Sequence, residues 1–297
     1  STKADGKLTM KFHLEPAGSL LLYSSKGSQK SYPEMPAVAG STPVPAVSPL
    51  QVNRLKDNAL NIDFCDVSVN GKTTKNVYFA QAADIVFREY GFANGNPWNT
   101  SVQYKRNILD RDTFKNGGFT ATYRFTVNDK FDYSNMKLVS ERPELFTVKI
   151  NGEQVKPIPG EWWLDRSFGV YAIGKQVKTG LNTVELSVSP MSIFAEIEPV
   201  YVLGDFAVVP EKLGWSISAP VENLTLGSWK AQKQPFYSWG VSYSKDFEVE
   251  SLSTPYAVQL NDWKGTIAEV YVNDQKAGII AYDPYRLDVT SYLKEGK

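Results

Sequence analysis

The chain has 297 residues, of which 42% are hydrophobic and 22% are charged, proportions that are typical of a soluble globular protein. Its 32 basic and 32 acidic residues balance to a formal net charge of zero, which removes the main electrostatic argument for nucleic acid as a partner. No apolar run approaches the roughly 20 residues of a membrane-spanning helix, so we expect no membrane insertion.

The first fifty residues divide into a short β segment and a proline-rich segment. Residues 8–14, "LTMKFHL", alternate as a strand does, so residues 1–30 are predicted to be the closing strands of an upstream β domain or a docked hairpin. Residues 31–50 contain five prolines and are predicted to be an extended linker. The N-terminus shows no apolar signal-peptide core, which fits an excised or processed piece as well as a cytoplasmic protein.

The rest of the chain is predicted to be all-β. In "FTATYRFTV", residues 119–127, apolar and polar side chains alternate with the two-residue period of a half-buried strand. The pairs Asn70-Gly71 and Asn151-Gly152 are strong hairpin signals. Only residues 81–90, "QAADIVFREY", approach a helical spacing.

An internal repeat organises this all-β region. Matching segments recur in the same order: 120–127 with 240–249, 146–155 with 268–279, and 164–180 with 282–296. The first copy continues into "LNTVELSVSP", whereas only Lys297 stands at that position in the second. The repeat therefore predicts a first β-sandwich over 51–210, a second over 211–297 that lacks its last strand, and a chain that is a segment of a larger protein.

Nucleophilic and metal chemistry have little support. His13 is the only histidine and lies in an alternating segment, and Cys65 is the only cysteine, predicted to be a buried inert thiol. The Gly71-Lys72 pair lacks the glycine of a P-loop, because Asp66 stands there. We expect no cofactor, while a structural Ca²⁺ held by loop carbonyls leaves no signature in a sequence.

Two kinds of candidate site remain. A glycosidase needs two facing carboxylates, for which Asp262, Glu269 and Asp283 are candidates beside aromatic loops, as are Glu161 and Asp165. A carbohydrate site needs an aromatic ring and planar hydrogen-bonding groups, and the aromatic content of 13% favours it. The candidates for carbohydrate binding are Trp98, Trp229, Asp262, Trp263, Tyr282, Tyr285 and Arg286. The alternative is that these rings only cap the open ends of a sandwich.

Several motifs of the second repeat resemble the sugar-binding jelly-roll domain of glycoside hydrolase family 2. They are the Gly-Ser-Trp run at 227–229, "KDFEV" at 245–249, "VYVNDQKAG" at 270–278 and "YRLDVTSYLKEG" at 285–296. The wider pattern, with "RSFGVYAIGKQVKTGLNTVELSV" and "YVLGDFAVV", is similar to the C-terminal part of large Bacteroidetes-type glycoside hydrolases, in particular family 106-like α-L-rhamnosidases.

The resemblance covers residues 50–297 and implies two galactose-binding-like jelly rolls that pack on a catalytic barrel elsewhere in the polypeptide. No catalytic residue carries over, because none of that barrel is visible. It also implies a secreted or periplasmic protein and a plant-type glycan as partner, rhamnose-containing glycans among them.

We therefore expect a non-catalytic accessory region of a glycoside hydrolase, which supports the catalytic domain and contacts carbohydrate through aromatic loops. Two alternatives stay open. The chain itself is a glycosidase with a loop carboxylate pair, or it is a protein-interaction module without a sugar role.

Overall fold

The computed structural model describes residues 2–4, 7–9, 21–23, 40–99, 113–114, 117–212 and 214–296. The chain forms two compact units, Ser1–Val44 and Pro45–Lys297. In the first unit, the described residues include one hairpin, in which β1 (Thr2–Ala4) pairs antiparallel with β2 (Lys7–Thr9). His13 and most of the predicted closing strands lie outside the described residues, so the interpretation of residues 1–30 stays a prediction.

Strands form most of the regular structure in the second unit, which confirms the all-β prediction. Its first strands are β3 (Gln51–Arg54), β4 (Asn58–Ile62), β5 (Phe64–Val69), β6 (Lys72–Tyr78), β7 (Thr113–Phe114), β8 (Phe119–Val127), β9 (Lys137–Glu141), β10 (Thr147–Ile150), β11 (Glu153–Val155), β12 (Trp162–Trp163) and β13 (Asp165–Ala172). The later strands are β14 (Gly180–Val188), β15 (Met191–Ser192), β16 (Val200–Gly204), β17 (Ala207–Pro210), β18 (Trp215–Ser218), β19 (Val241–Ser244), β20 (Ala257–Gln259), β21 (Ala268–Val272), β22 (Gln275–Ile280) and β23 (Arg286–Asp288).

Helical structure is sparse in the described residues. The helix α1 (Phe79–Glu89) lies where the sequence showed helical spacing, and short 3-10 turns occupy Pro97–Asn99 and Thr290–Tyr292. The apolar side of α1 is buried against β5 and β6. No described helix is long and apolar enough to cross a membrane.

The larger sheet has eight strands, and β8 is at its centre. β8 pairs antiparallel with β14 on one side and with β5 on the other, and two of its residues pair in parallel with β18. Beyond these neighbours, the sheet is extended by β10 and β11 next to β14, by β17 next to β18, and by β6 next to β5. The alternating sequence of β8 explains its position, because its odd-numbered residues from Phe119 to Val127 are buried while its even-numbered residues are more exposed.

The second sheet has five strands in the order β12-β13-β9-β16-β4. Its inward side chains, such as Leu60, Leu138 and Val202, share one hydrophobic core with Tyr123 and Val184 of the eight-stranded sheet. This shared core between two mainly antiparallel sheets is the arrangement of a β-sandwich. Cys65 of β5 lies in the core, where burial and then the charge of Asp66 raise the pKa of its thiol to about 12.

The C-terminal part has a small core of its own. Val270, Ile280 and Val289 are buried there, and partly buried apolar residues of β20 to β23, such as Val258 and Leu287, pack against them. The antiparallel pairs β20-β23 and β21-β22 are each two-stranded, and β19 pairs with β3.

The predicted domain boundaries are not tested by these contacts and stay predictions. The strand pairing nevertheless runs across the boundary expected after residue 210, since β17 and β18 form an antiparallel pair. In the proline-rich segment, Ala46 forms a bridge with Phe247, within the second unit. Residues 31–39 lie outside the described part of the chain.

Candidate functional site

A pocket of about 250 Å³ opens at the end of the five-stranded sheet where β9 ends and β16 begins. Its walls come from the turn after α1, from the end of β9 with the loop that follows, and from the segment before β16. The lining residues are Trp98, Glu141, Arg142, Phe146, Phe194, Glu196 and Glu198.

A segment whose side chains are alternately buried and partly exposed supplies one wall of the pocket, and it turns at Ile193-Phe194. In "MSIFAEIE", residues 191–198, the odd positions Met191 to Ile197 are buried in the core. The even positions Phe194, Glu196 and Glu198 are partly buried and line the pocket. The core anchors this backbone and aims one ring and two carboxyl groups into the pocket.

A polar network holds the opposite wall in place. The buried side chain of Asn96 donates a hydrogen bond to Glu196 (Nδ2 to Oε2, 2.6 Å) and accepts one from the Trp98 backbone N–H (3.0 Å). The Asn96 backbone N–H in turn donates to the Asp84 carboxylate of α1 at 2.8 Å. Gly95 makes this approach possible, since its φ is +84° and a Cβ there would collide with that carboxylate.

The rings of Trp98 and Phe194 form a stacked pair, with centroids 5.6 Å apart and planes inclined by 27°. The indole N–H of Trp98 donates to the Ile193 carbonyl at 2.7 Å, so the ring orientation is fixed. The guanidinium carbon of Arg142 lies 5.5 Å from the Phe194 centroid, and its Nε donates to Glu144 at 2.5 Å. Arg142 has a φ of +49°, a left-handed conformation that is uncommon for a residue with a side chain.

The three glutamates of the pocket share an environment that favours their protonated forms. Burial raises the pKa of Glu198 to about 7, with further contributions from the charges of Glu196 and Glu141. Burial is also the largest cause of the raised pKa of Glu141 and of Glu196. The hydrogen bond from Asn96 and the charge of Arg142 partly oppose the effect on Glu196.

This combination can bind a small polar ligand with an apolar face. The rings offer surface for stacking, the carboxylates accept hydrogen bonds, and the guanidinium donates them. The volume is below the range of about 300 to 1,000 Å³ for sites of drug-sized ligands, so it suits one sugar ring. No group of three or more Asp, Glu, His or Cys in the described part of the chain is arranged to hold a metal ion.

Of the residues that the sequence indicated for carbohydrate binding, Trp98 lies in this pocket and the other six do not line it. The Trp229 ring packs edge-on against Tyr237, at a centroid distance of 6.2 Å. Trp263 is partly buried, its indole nitrogen has no hydrogen-bond partner, and Gly265 lies directly against its ring. Asp262 is exposed and pairs with Lys264 at 2.9 Å.

The remaining candidates lie around β21 to β23. Tyr282 is 77% exposed, whereas Tyr285 packs on the small C-terminal core and Arg286 belongs to β23. The exposed Glu269 accepts hydrogen bonds from Lys276 and Tyr271, which lower its carboxyl pKa. A low pKa disfavours Glu269 as a general acid. Asp283 is exposed in the turn that precedes β23.

Sequence reasoning missed the other six lining residues, which are Glu141, Arg142, Phe146, Phe194, Glu196 and Glu198. A signal for three of them was present, because Phe194, Glu196 and Glu198 occupy alternate positions in a segment whose other positions are apolar. Acidic residues at alternate positions, between apolar residues, predict that these side chains lie outside the hydrophobic core. The proximity of Glu141 and Arg142 depends on the pairing of β9 with β16, which periodicity does not reveal.

No family model matches the chain, and no curated protein matches it. Among solved structures, the chain is similar to a β-D-glucuronidase from Dictyoglomus thermophilum at 14% sequence identity and a TM-score of 0.32. The match covers 56% of this chain and 33% of the glucuronidase. A likeness of this degree carries no argument about ligand or activity, so the function has to be inferred from the pocket itself.

Proposed function

We propose that the chain is a non-catalytic, carbohydrate-binding accessory region of a glycoside hydrolase and that the pocket at the end of the five-stranded sheet holds one sugar ring. The observation that carries the binding role is the Trp98–Phe194 ring pair, set beside three carboxyl groups and one guanidinium in a single cavity. Sugars present apolar ring faces and vicinal hydroxyls, and these walls complement both.

The accessory role rests on the motifs at 227–229 and 270–278, which resemble a sugar-binding jelly roll that packs on a catalytic barrel. Its expected partners are that catalytic domain in the same polypeptide and a plant-type glycan, in a secreted or periplasmic protein. The alternative of catalysis by a loop carboxylate pair from Asp262, Glu269 and Asp283 has less support. All three are exposed, and Asp262 and Glu269 are paired with lysines that lower their pKa values.

Titration calorimetry against monosaccharides, rhamnosides and plant polysaccharides tests the binding role. We expect affinity to fall in the order wild type, Trp98→Phe, Trp98→Leu, because the first variant keeps a ring and the second does not. Loss of one stacked ring predicts a reduction of about five- to tenfold. Circular dichroism melting of each variant checks that the fold is retained.

The matched control is Trp263→Leu, which removes a tryptophan that the sequence also indicated but that does not line the pocket. Its affinity should equal that of the wild type. Loss of binding in Trp263→Leu with full binding in Trp98→Leu would move the site to the C-terminal loops. Absence of binding to every carbohydrate would contradict the proposed binding role.

A further inference from the structure

The charges that line the pocket do not balance. Among the described residues that line the pocket, Glu141, Glu196 and Glu198 face one cation, Arg142, whose guanidinium is paired with Glu144 outside the pocket wall. When these glutamates are ionised, a ligand in this pocket meets an excess of negative charge from the described lining residues in a partly desolvated space. Electrostatic interactions are stronger there than in bulk water.

The three carboxylates differ in how they are satisfied. Glu196 accepts a hydrogen bond from the Asn96 side chain at 2.6 Å, whereas the Ser167 hydroxyl near Glu141 donates to Asp165. The Glu198 carboxylate has no hydrogen-bond or ion-pair partner among the described residues, although its backbone carbonyl accepts the Tyr123 hydroxyl at 2.6 Å. Partial burial of the Glu198 carboxyl group raises its pKa to about 7, because the charged form is less stable where water reaches it only in part.

The aromatic wall is also suited to a positive charge. The faces of aromatic rings attract cations within about 6 Å of the ring centroid. Arg142 already uses this property, since its guanidinium carbon lies 5.5 Å from the Phe194 centroid. The aromatic rings and the Glu198 carboxylate therefore both favour a positively charged ligand, through two independent interactions.

We propose that the ligand of this pocket carries a protonated amino group, as an unacetylated amino sugar does, and that Glu198 is its counter-ion. This inference rests on the proposed carbohydrate function and names the class of sugar. A neutral sugar donates hydroxyl hydrogen bonds to Glu198 but leaves the mutual repulsion of the three glutamates unchanged. An ammonium group supplies both the hydrogen bond and the missing positive charge.

Matched pairs of sugars test the proposal: D-glucosamine with D-glucose, and D-galactosamine with D-galactose, with N-acetyl-D-glucosamine as a neutral amide. Calorimetry or saturation-transfer NMR at pH 7 gives the affinity of each sugar. We expect an amino sugar to bind about tenfold to a hundredfold more tightly than its neutral partner, the ratio expected for one hydrogen bond to a charged group.

The variant Glu198→Gln removes the charge with little change of shape, and the ratio should fall close to one. The control is Glu222→Gln, an exposed glutamate outside the pocket, in which the ratio should stay at its wild-type value. A preference that persists in Glu198→Gln would remove Glu198 as the counter-ion. Equal affinity for both members of each pair would overturn the amino-sugar inference alone, whereas absence of binding to all sugars would overturn the proposed function as well.

Discussion

The charge state of Glu198 makes the stability of the folded protein depend on pH in the absence of a ligand. Its carboxyl pKa is raised from 4.5 to about 7, so the folded state favours the protonated form. Below pH 4.5 both the folded and unfolded states are protonated. As the pH rises from 4.5 to 7, only the unfolded chain readily ionises at this position, and the folded protein loses stability.

The variant Glu198→Gln should therefore be as stable as the wild type at pH 4 and more stable at pH 8. We expect a gain of about 1 to 2 kcal/mol, less than full conversion of the pKa shift because water still reaches the group. Urea unfolding followed by circular dichroism at pH 4, 6 and 8 measures the difference, with Glu222→Gln as the control. Parallel pH profiles for wild type and Glu198→Gln would contradict this assignment.

At the same scale, sequence patterns identified Trp98 but not its neighbours in the pocket. Trp98 was recognisable because a tryptophan in an irregular segment is conspicuous. Asn96 was not, since its importance comes from three hydrogen bonds that join α1, the turn and Glu196 in space. The position of the Arg142 side chain depends on a left-handed backbone conformation, which the residue type does not predict.

At the scale of elements, α1 is held to the sandwich chiefly by its buried side chains. Phe87 is fully buried and meets Phe92 edge-on at 5.6 Å. We expect Phe87→Ala to lower the free energy of unfolding by about 3 to 5 kcal/mol, because it leaves a cavity in the main core. Arg88→Ala, on the exposed side of the same turn, should cost no more than about 0.5 kcal/mol. Chemical denaturation measures both, and equal losses would mean that α1 is only loosely packed.

Turn chemistry was the most reliable guide to these elements. The hairpins β5-β6 and β10-β11 turn at Asn70-Gly71 and Asn151-Gly152, whose four φ angles are all positive, as predicted turns of this type require. The order of strands within each sheet was not predictable in the same way. A two-residue period assigns a side chain to a face, but it does not say which strand is the neighbour, and β8 pairs with β5, β14 and β18 from distant parts of the sequence.

At the scale of the whole molecule, the described residues of the second unit contain a large core, a small cluster around Val139 and Val170 of the five-stranded sheet, and a separate small core in the C-terminal part. The large core joins both sheets of the sandwich, and the small core contains only Val270, Ile280 and Val289 as buried residues. The internal repeat in the sequence predicted a complete first sandwich and a second one that lacks its last strand. The repeat does recur as a hairpin, β10-β11 and β21-β22, but β10 is paired further with β14, while β21 and β22 pair only with each other among the described residues.

This difference predicts unequal local stability. Amides of β8 and β14 are in the middle of an eight-stranded sheet above side chains such as Tyr123 and Val184, which are fully buried. Amides of β21 and β22 lie in a two-stranded sheet whose residues Tyr271 and Ile279 are about half exposed. Hydrogen exchange measured by mass spectrometry should therefore be slowest in β8 and β14 and at least about a hundredfold faster in β21 and β22.

A pair of matched substitutions separates local from global opening. Val184→Ala removes the same two methyl groups from the large core as Val270→Ala removes from the small one. Val184→Ala should accelerate exchange throughout the sandwich, because its amides open through global unfolding. Val270→Ala should accelerate exchange only around β20 to β23 and leave peptides of the pocket, including residues 191–198, unchanged. If Val270→Ala also accelerated exchange at 191–198, the two cores would unfold as one cooperative unit, and the predicted division of the second unit would lose its energetic basis.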